Sequence, residues 1–198
     1  MTTLVSFAQY NSGGFRLSED NVYYGVRVGM TVSRIHGDAH FFTPDGSKTG
    51  LTLGGVLGLR LSNYSPVFLE SGLYYTERGG KGDDINPGSA KKRAVSKFNI
   101  LEIPVLIKYG IKTGDEVALL PFFGPYFSMA INGKTNKHGT FRKNYFNRFD
   151  AGFKLGCGAE YNLLYIEMGY QFGLNNISDN EDNSAHHGAF FANFGVNF

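Results

Sequence analysis

Hydrophobic and polar positions alternate along most of this chain. Over Phe149–Tyr161 the row Phe149, Ala151, Phe153, Leu155, Cys157, Ala159 and Tyr161 is set against Asp150, Gly152, Lys154, Gly156, Gly158 and Glu160. A tight turn at Asn162 follows. Leu164, Ile166, Met168, Tyr170, Phe172 and Leu174 then oppose Tyr165, Glu167, Gly169, Gln171 and Gly173. Successive strand side chains point to opposite faces, so each run predicts a strand with one apolar face. The other face carries glycines and charges of both signs, a poor match to an ordinary solvent surface. A barrel with its apolar row toward lipid and its polar row toward the lumen accounts for both faces.

Six further segments repeat the pattern: Val22–Ser33, Gly50–Ser62, Val67–Arg78, Phe98–Gly110, Val117–Ile131 and Ala189–Phe198. In the second, Leu51, Leu53, Leu57, Leu59 and Leu61 oppose Thr52, Gly54, Val56, Gly58 and Arg60. Long connections (34–49, 79–97, 132–147 and 175–188) alternate with short ones (63–66, 111–116 and Asn162). That is the rhythm of an outer-membrane barrel, with short periplasmic turns and long external loops. The expected fold is therefore all-β, an eight-stranded antiparallel up-and-down transmembrane β-barrel over 22–198, with both termini periplasmic. Pro104 and Pro121 fall inside predicted strands. Because proline donates no ladder hydrogen bond, bulges or ladder breaks are expected there.

Composition agrees with this picture. The 198 residues suit one domain, and a net charge of +2 offers no nucleic-acid surface. Glycine is abundant at 27, tryptophan is absent, and the single Cys157 excludes an intrachain disulfide. No apolar run reaches the length of about 18 residues that a transmembrane helix needs. Residues 1–21 read as an N-terminal tail or signal-peptide remnant, with Ala8 in Ser6-Phe7-Ala8-Gln9 as the cleavage residue.

The inward row collects Arg27, Arg60, Arg78, Lys108, Arg148 and Lys154 with Glu70, Glu102, Asp150, Glu160 and Glu167. An eight-stranded barrel has room inside only for side chains, and an unpaired buried charge is very costly. These residues are expected to form a structural interior charge network that plugs the lumen, with the inward glycines making room for long side chains.

The stretch Leu101-Glu102-Ile103-Pro104-Val105-Leu106-Ile107-Lys108-Tyr109 resembles the PorT-like outer-membrane β-barrel family of Bacteroidetes. Gly124-Pro125-Tyr126, the row Asp150, Gly152, Gly156, Gly158, Glu160, and Tyr170, Gly173-Leu174, Asn176-Ile177 extend the resemblance over most of Val22–Phe198. It implies an eight-stranded barrel similar to the OmpA/OmpX type. It also implies that the terminal Phe198 serves the outer-membrane insertion machinery. Some relatives are tied to protein secretion and gliding. The resemblance carries no catalytic residues.

The remaining chemistry lies in the predicted long loops, where all five histidines fall. His36-Gly37-Asp38-Ala39-His40 and His186-His187 are candidate metal ligands without a specific spacing. Asp179-Asn180-Glu181-Asp182-Asn183 offers oxygen ligands for Ca²⁺ but lacks the EF-hand spacing and glycine. Lys81, Lys91, Lys92, Arg93 and Lys97, then Lys134, Lys137, Arg142 and Lys143, are basic enough to meet lipopolysaccharide phosphates. No motif pairs a nucleophile with His36 or His138, so no enzyme and no cofactor are expected. The expected partners are outer-membrane lipid and lipopolysaccharide, the barrel insertion machinery and an envelope or secretion protein. Two rivals remain at this point. One is a lipid-modifying enzyme at the rim. The other is a soluble lipocalin-like binder of an apolar ligand, which would turn the leucine row inward.

Overall fold

A computed structural model describes residues 21–36, 42–84, 93–113, 117–135, 138–139, 149–174 and 186–198. All regular structure among them is strand. In chain order these are β1 (Val22–His36), β2 (Phe42–Arg60), β3 (Val67–Asp84), β4 (Arg93–Tyr109), β5 (Ile111–Lys112), β6 (Val117–Thr135), β7 (His138–Gly139), β8 (Phe149–Tyr161), β9 (Leu164–Gly173) and β10 (His186–Asn197). β5 and β7 are two-residue ladders on β6. The other eight are the predicted strands. Each pairs antiparallel with its sequence neighbours, and β10 returns to β1. The seam closes through paired backbone bonds: Tyr24 N–H donates to the Phe198 carbonyl at 3.1 Å, and Phe198 N–H to the Tyr24 carbonyl at 2.7 Å. The result is a closed up-and-down barrel of eight strands.

Burial follows the period of two. Leu51, Leu53, Leu57, Leu59 and Leu61 are 64, 57, 42, 41 and 54 % exposed, while Thr52, Gly54, Val56 and Gly58 between them are buried. The apolar row therefore faces outward. That overturns the lipocalin-like reading, which needed the same leucines inside. Outward rings also meet across strands, as Phe123 and Phe153 do when they stack at 5.5 Å.

The strands differ from expectation at one end. At the short-turn end their limits agree closely. At the long-connection end β2 begins at Phe42 instead of Gly50, β3 runs on to Asp84, β4 starts at Arg93, and β6 reaches Thr135. Backbone pairing continues there after the apolar alternation has given way to Gly, Lys, Asp and Asn. Hydropathy marks the apolar band, whereas ladder bonds mark the strand.

At the prolines the expected ladder breaks are present. Around Pro104 and Pro121 the ladder lapses without any change of register. Ser71 Oγ takes up the freed Pro104 carbonyl at 2.9 Å. The bulges lie elsewhere, between Asn99 and Ile100 and in β2 between Pro44 and Gly46 and between Ser47 and Thr52. In the β8–β9 turn Asn162 has φ 54°, the left-handed region that Asn tolerates better than most residues.

Interior glycines sit directly opposite interior tyrosines: Tyr23 faces Gly58, Tyr74 faces Gly54, and Tyr126 faces Gly152. A Cβ on Gly58 or Gly54 would run into the facing ring, and on Gly152 it would come within 2.7 Å of Tyr126 Cε1. Outward Gly55 has open space, its nearest neighbour being the Gly25 carbonyl at 4.0 Å. Gly58→Val should therefore lower unfolding stability by about 1–3 kcal/mol through overpacking. Gly55→Val should stay within about 0.5 kcal/mol. Urea unfolding of the refolded barrel checks both, and equal effects would show that interior space is not what selects glycine.

Candidate functional site

The interior is built from the inward row of every strand. Arg27, Arg78, Lys108 and Lys154 are buried there, and so are Glu70, Glu102, Glu160 and Glu167. Four cations thus meet four carboxylates. They separate into two groups along the barrel.

The group nearer the short turns centres on Lys108. Its ammonium lies 2.8 Å from Glu70 Oε1 and 3.3 Å from Glu167 Oε2, and it donates to Tyr165 Oη at 2.7 Å. The Glu70 Oε1 contact is an ion pair without hydrogen-bond direction. Tyr23 Oη donates to Glu70 Oε2 at 2.6 Å, and Arg27 Nη2 stands 3.6 Å from the same oxygen. Arg27 also donates to Asn197 Oδ1 at 2.6 Å and stacks over the Tyr165 ring at 4.1 Å. Asn197 Nδ2 donates to Glu160 at 2.8 Å, and Asn193 Nδ2 to Glu167 at 2.8 Å. Each carboxylate thus receives at least one donor. Below this group Tyr23, Phe68, Ala118, Leu120 and Tyr165 pack into an apolar cluster at the short-turn end.

The group nearer the long connections centres on Glu102, which is bound by both Arg78 and Lys154. Asp150, half-buried, accepts from Tyr126 Oη at 3.1 Å. Leu106, Phe122 and Phe191 form an apolar cluster between the two groups. Phe122 and Phe191 lie 6.2 Å apart. Lys108 Nζ sits 5.3 Å from the Phe122 ring centroid and Lys154 Nζ 4.7 Å from that of Phe191. The aromatic pair therefore stands between the two ammonium groups, each on its own ring. Arg27 and Arg78 Nε, Asp150 Oδ1, Gln171 Nε2 and Asn193 Oδ1 make no hydrogen bond among the described residues.

Nine of the eleven expected network residues come together in these groups. Arg60 is half-buried at the short-turn end, where its Nε donates to the Ser62 carbonyl at 2.9 Å. Arg148 lies outside the described residues. Alternation places Tyr23, Tyr126, Tyr165, Asn193 and Asn197 on the inward row too, but by itself gives them no part in the network. Their signal was polarity on that row; their partners needed the register.

Nor are the histidines confined to loops. His36 ends β1, His186 and His187 begin β10, and His138 lies in β7, while His40 is outside the described residues. Register opposes His36 with His186 and Ile35 with His187. Among the described residues no three metal-ligating side chains gather. Lys81, Arg93, Lys97 and Lys134 likewise belong to strands. Residues 1–20, Gly37–Ala39, Lys91, Lys92, Lys137, Arg142, Lys143 and the acidic run Asp179–Asn183 are outside the described residues.

Substituting Glu102 by Gln leaves Arg78 and Lys154 buried against a neutral group. The expected loss is about 3–5 kcal/mol of unfolding free energy, as for one partner removed from a buried ion pair. The urea midpoint in lipid vesicles measures it, and a loss below about 1 kcal/mol, the range of surface pairs, would mean that the trio contributes little.

The chain matches the family model described as an outer membrane protein beta-barrel domain over residues 7–179 and belongs to that family. No curated protein matches it. Among solved structures it is similar to the outer membrane protein OprG from Pseudomonas aeruginosa, at 13 % identity and TM-score 0.52, over 89 % of this chain and 95 % of that one. It is also similar to Ail, the attachment invasion locus protein of Yersinia pestis, solved with the heparin analogue sucrose octasulfate. There the identity is 14 %, the TM-score 0.47, and the coverage 90 % and 100 %. Neisserial surface protein A matches at 16 % identity and TM-score 0.44, over 90 % and 98 %. The chain is an outer-membrane β-barrel protein, and its outward apolar rows face lipid.

Proposed function

We propose that this outer-membrane β-barrel protein is a non-conducting scaffold that acts through the end carrying its long connections. The carrying observation is the pairing of buried charges across the lumen, with apolar clusters beside and between the two groups. A continuous water column needs solvated charges, whereas these are held by one another and by aromatic rings. In this reading the network is structural and the barrel has no catalytic role. Its termini are periplasmic and its long connections external. The basic residues there meet lipopolysaccharide or an envelope partner. The likeness of Leu101–Tyr109 to the PorT-like family supports a partner in protein secretion.

Planar bilayers test the closed lumen. The folded protein should give no stable channel, and a large steady conductance at neutral pH would overturn the reading.

Phe198 is proposed as the mark read by the barrel insertion machinery. It is half exposed to the lipid side at the end of the closing strand, and its backbone is paired to Tyr24. Phe198→Ser should slow assembly in cells and leave unfolded precursor, with little effect on refolding into pure lipid. Equal slowing in both settings would make Phe198 an ordinary packing residue.

A further inference from the structure

The joint between β1 and β10 lacks something that the other joints of the wall possess. Every other pair of neighbouring wall strands is connected along the chain, and a connection limits how far one strand can slide on the next. β1 and β10 are the first and last strands, and Arg27 and Asn197, which meet across the joint, lie 170 residues apart. Side chains must therefore choose the register there.

The outward face cannot choose between registers that differ by two residues. Such a slip leaves every side chain on its own face. β1 presents valines, Tyr24 and Met30 there, and β10 presents Phe190, Phe194 and Phe198 with Ala192 and Val196 between them. Apolar meets apolar whichever way β10 is moved.

The inward face does choose. Its pairs set a large side chain against a glycine three times in succession: Gly25 against Asn197, Arg27 against Gly195, and Gly29 against Asn193. The large member changes strand at the middle pair. Arg27 crosses Gly195 with its Cδ 2.7 Å from the place of a Cβ there. It stacks on Tyr165, the β9 residue opposite Gly195, at 4.1 Å, and donates to Asn197 Oδ1 at 2.6 Å. A Cβ on Gly29 would collide with Asn193, and one on Gly25 would come within 2.7 Å of Asn197 Oδ1. A slip of two residues sets Arg27 against Asn193 in one direction and against Asn197 in the other. Gly195 then faces Gly25 or Gly29. Two large side chains share one space while two glycines leave another empty, and both faults destabilise a packed interior.

We propose that Arg27 laid over Gly195, between the two Gly–Asn pairs, is a register lock that selects the closing alignment of the barrel. The role goes beyond charge pairing in the lumen, since the lock discriminates between closed walls that keep the same faces. It depends neither on the scaffold role nor on the orientation in the membrane.

Disulfide trapping reads the register directly. In the full chain carrying Cys157→Ala, Met30→Cys is combined with Ala192→Cys, its partner in register, or with Phe190→Cys or Phe194→Cys, its partners after a slip of two. All four positions face lipid, away from the lock. Directly opposed Cα atoms lie about 5.5 Å apart, within disulfide reach, whereas diagonal ones exceed the limit of about 7 Å. Each chain is folded into lipid vesicles and oxidised, and the disulfide-closed fraction of folded barrels is counted by electrophoresis. With the seam otherwise unchanged, only the Ala192→Cys chain should close. Arg27→Gly removes the crossing side chain from β1, and Asn193→Gly/Asn197→Gly removes the obstacles to it from β10. Either change should raise the slipped disulfides about tenfold or more, the order expected once an overpacked contact is relieved. Arg27→Lys keeps a long side chain over Gly195 and should trap the native pair alone, even where the barrel unfolds at lower urea. Glycine variants that lose stability yet trap no slipped pair overturn the lock and leave Arg27 an ordinary network member. Slipped disulfides in the unchanged seam, or in Arg27→Lys at the level of Arg27→Gly, overturn it as well. Failure of both glycine variants to close in any register also overturns it, because the rest of the wall would then not tolerate the neighbouring alignments.

Discussion

Buried charge must find its partner inside the same wall, and the architecture of this barrel depends on that requirement. Eight strands close around a space that side chains alone can fill. Lys108 reaches Glu70 on β3 and Glu167 on β9, and Glu102 gathers Arg78 from β3 and Lys154 from β8. No carboxylate in these sets shares a strand with its cation, except that Glu102 and Lys108 both project from β4 to serve different groups. The network therefore exists only when the cylinder is closed and in register. A slip of one residue would turn a whole inward row toward lipid.

The same space explains the glycines. A tyrosine that must lie flat across the lumen needs a facing residue without a side chain. Tyr23 over Gly58 delivers its hydroxyl to Glu70, and Tyr126 over Gly152 delivers its hydroxyl to Asp150. Arg27 lies against two more glycines, its Nη1 2.5 Å from a Cβ built on Gly25 and its Cδ 2.7 Å from one on Gly195. Glycine is usually a weakness in a strand. Here the cross-strand ring or guanidinium takes the place of the missing side chain, and charge pairing is gained with it.

Period two made the wall legible in the sequence. It put Leu51 and Leu57 outside, Arg27 and Glu70 inside, and counted eight crossings. Partners were not legible, because alternation gives a face and never a register. Tyr165 and Asn197 are therefore seen as network members only once β9 and β10 are aligned with their neighbours. Strand ends at the long connections were not legible either. Over Phe42–Ser47 and Gly79–Asp84 the chain pairs through its backbone while its side chains follow no apolar rhythm. The histidines were assigned to loops for that reason. Arg60 shows the same limit: alternation gave its inward face, but its bond to the Ser62 carbonyl depends on the local turn.

Both faces of the central wall are committed, one to ion pairs and the other to lipid. A new contact is least disruptive where neither constraint applies, in the strand extensions beyond the apolar band. Those extensions are ladders, which matters for recognition. A loop lysine explores a wide volume and loses entropy when it binds. The backbones of residues 96–99 and 132–135 are instead held opposite one another by the ladder. The ladder that stabilises the rim thus fixes which backbone positions lie side by side beyond the apolar band.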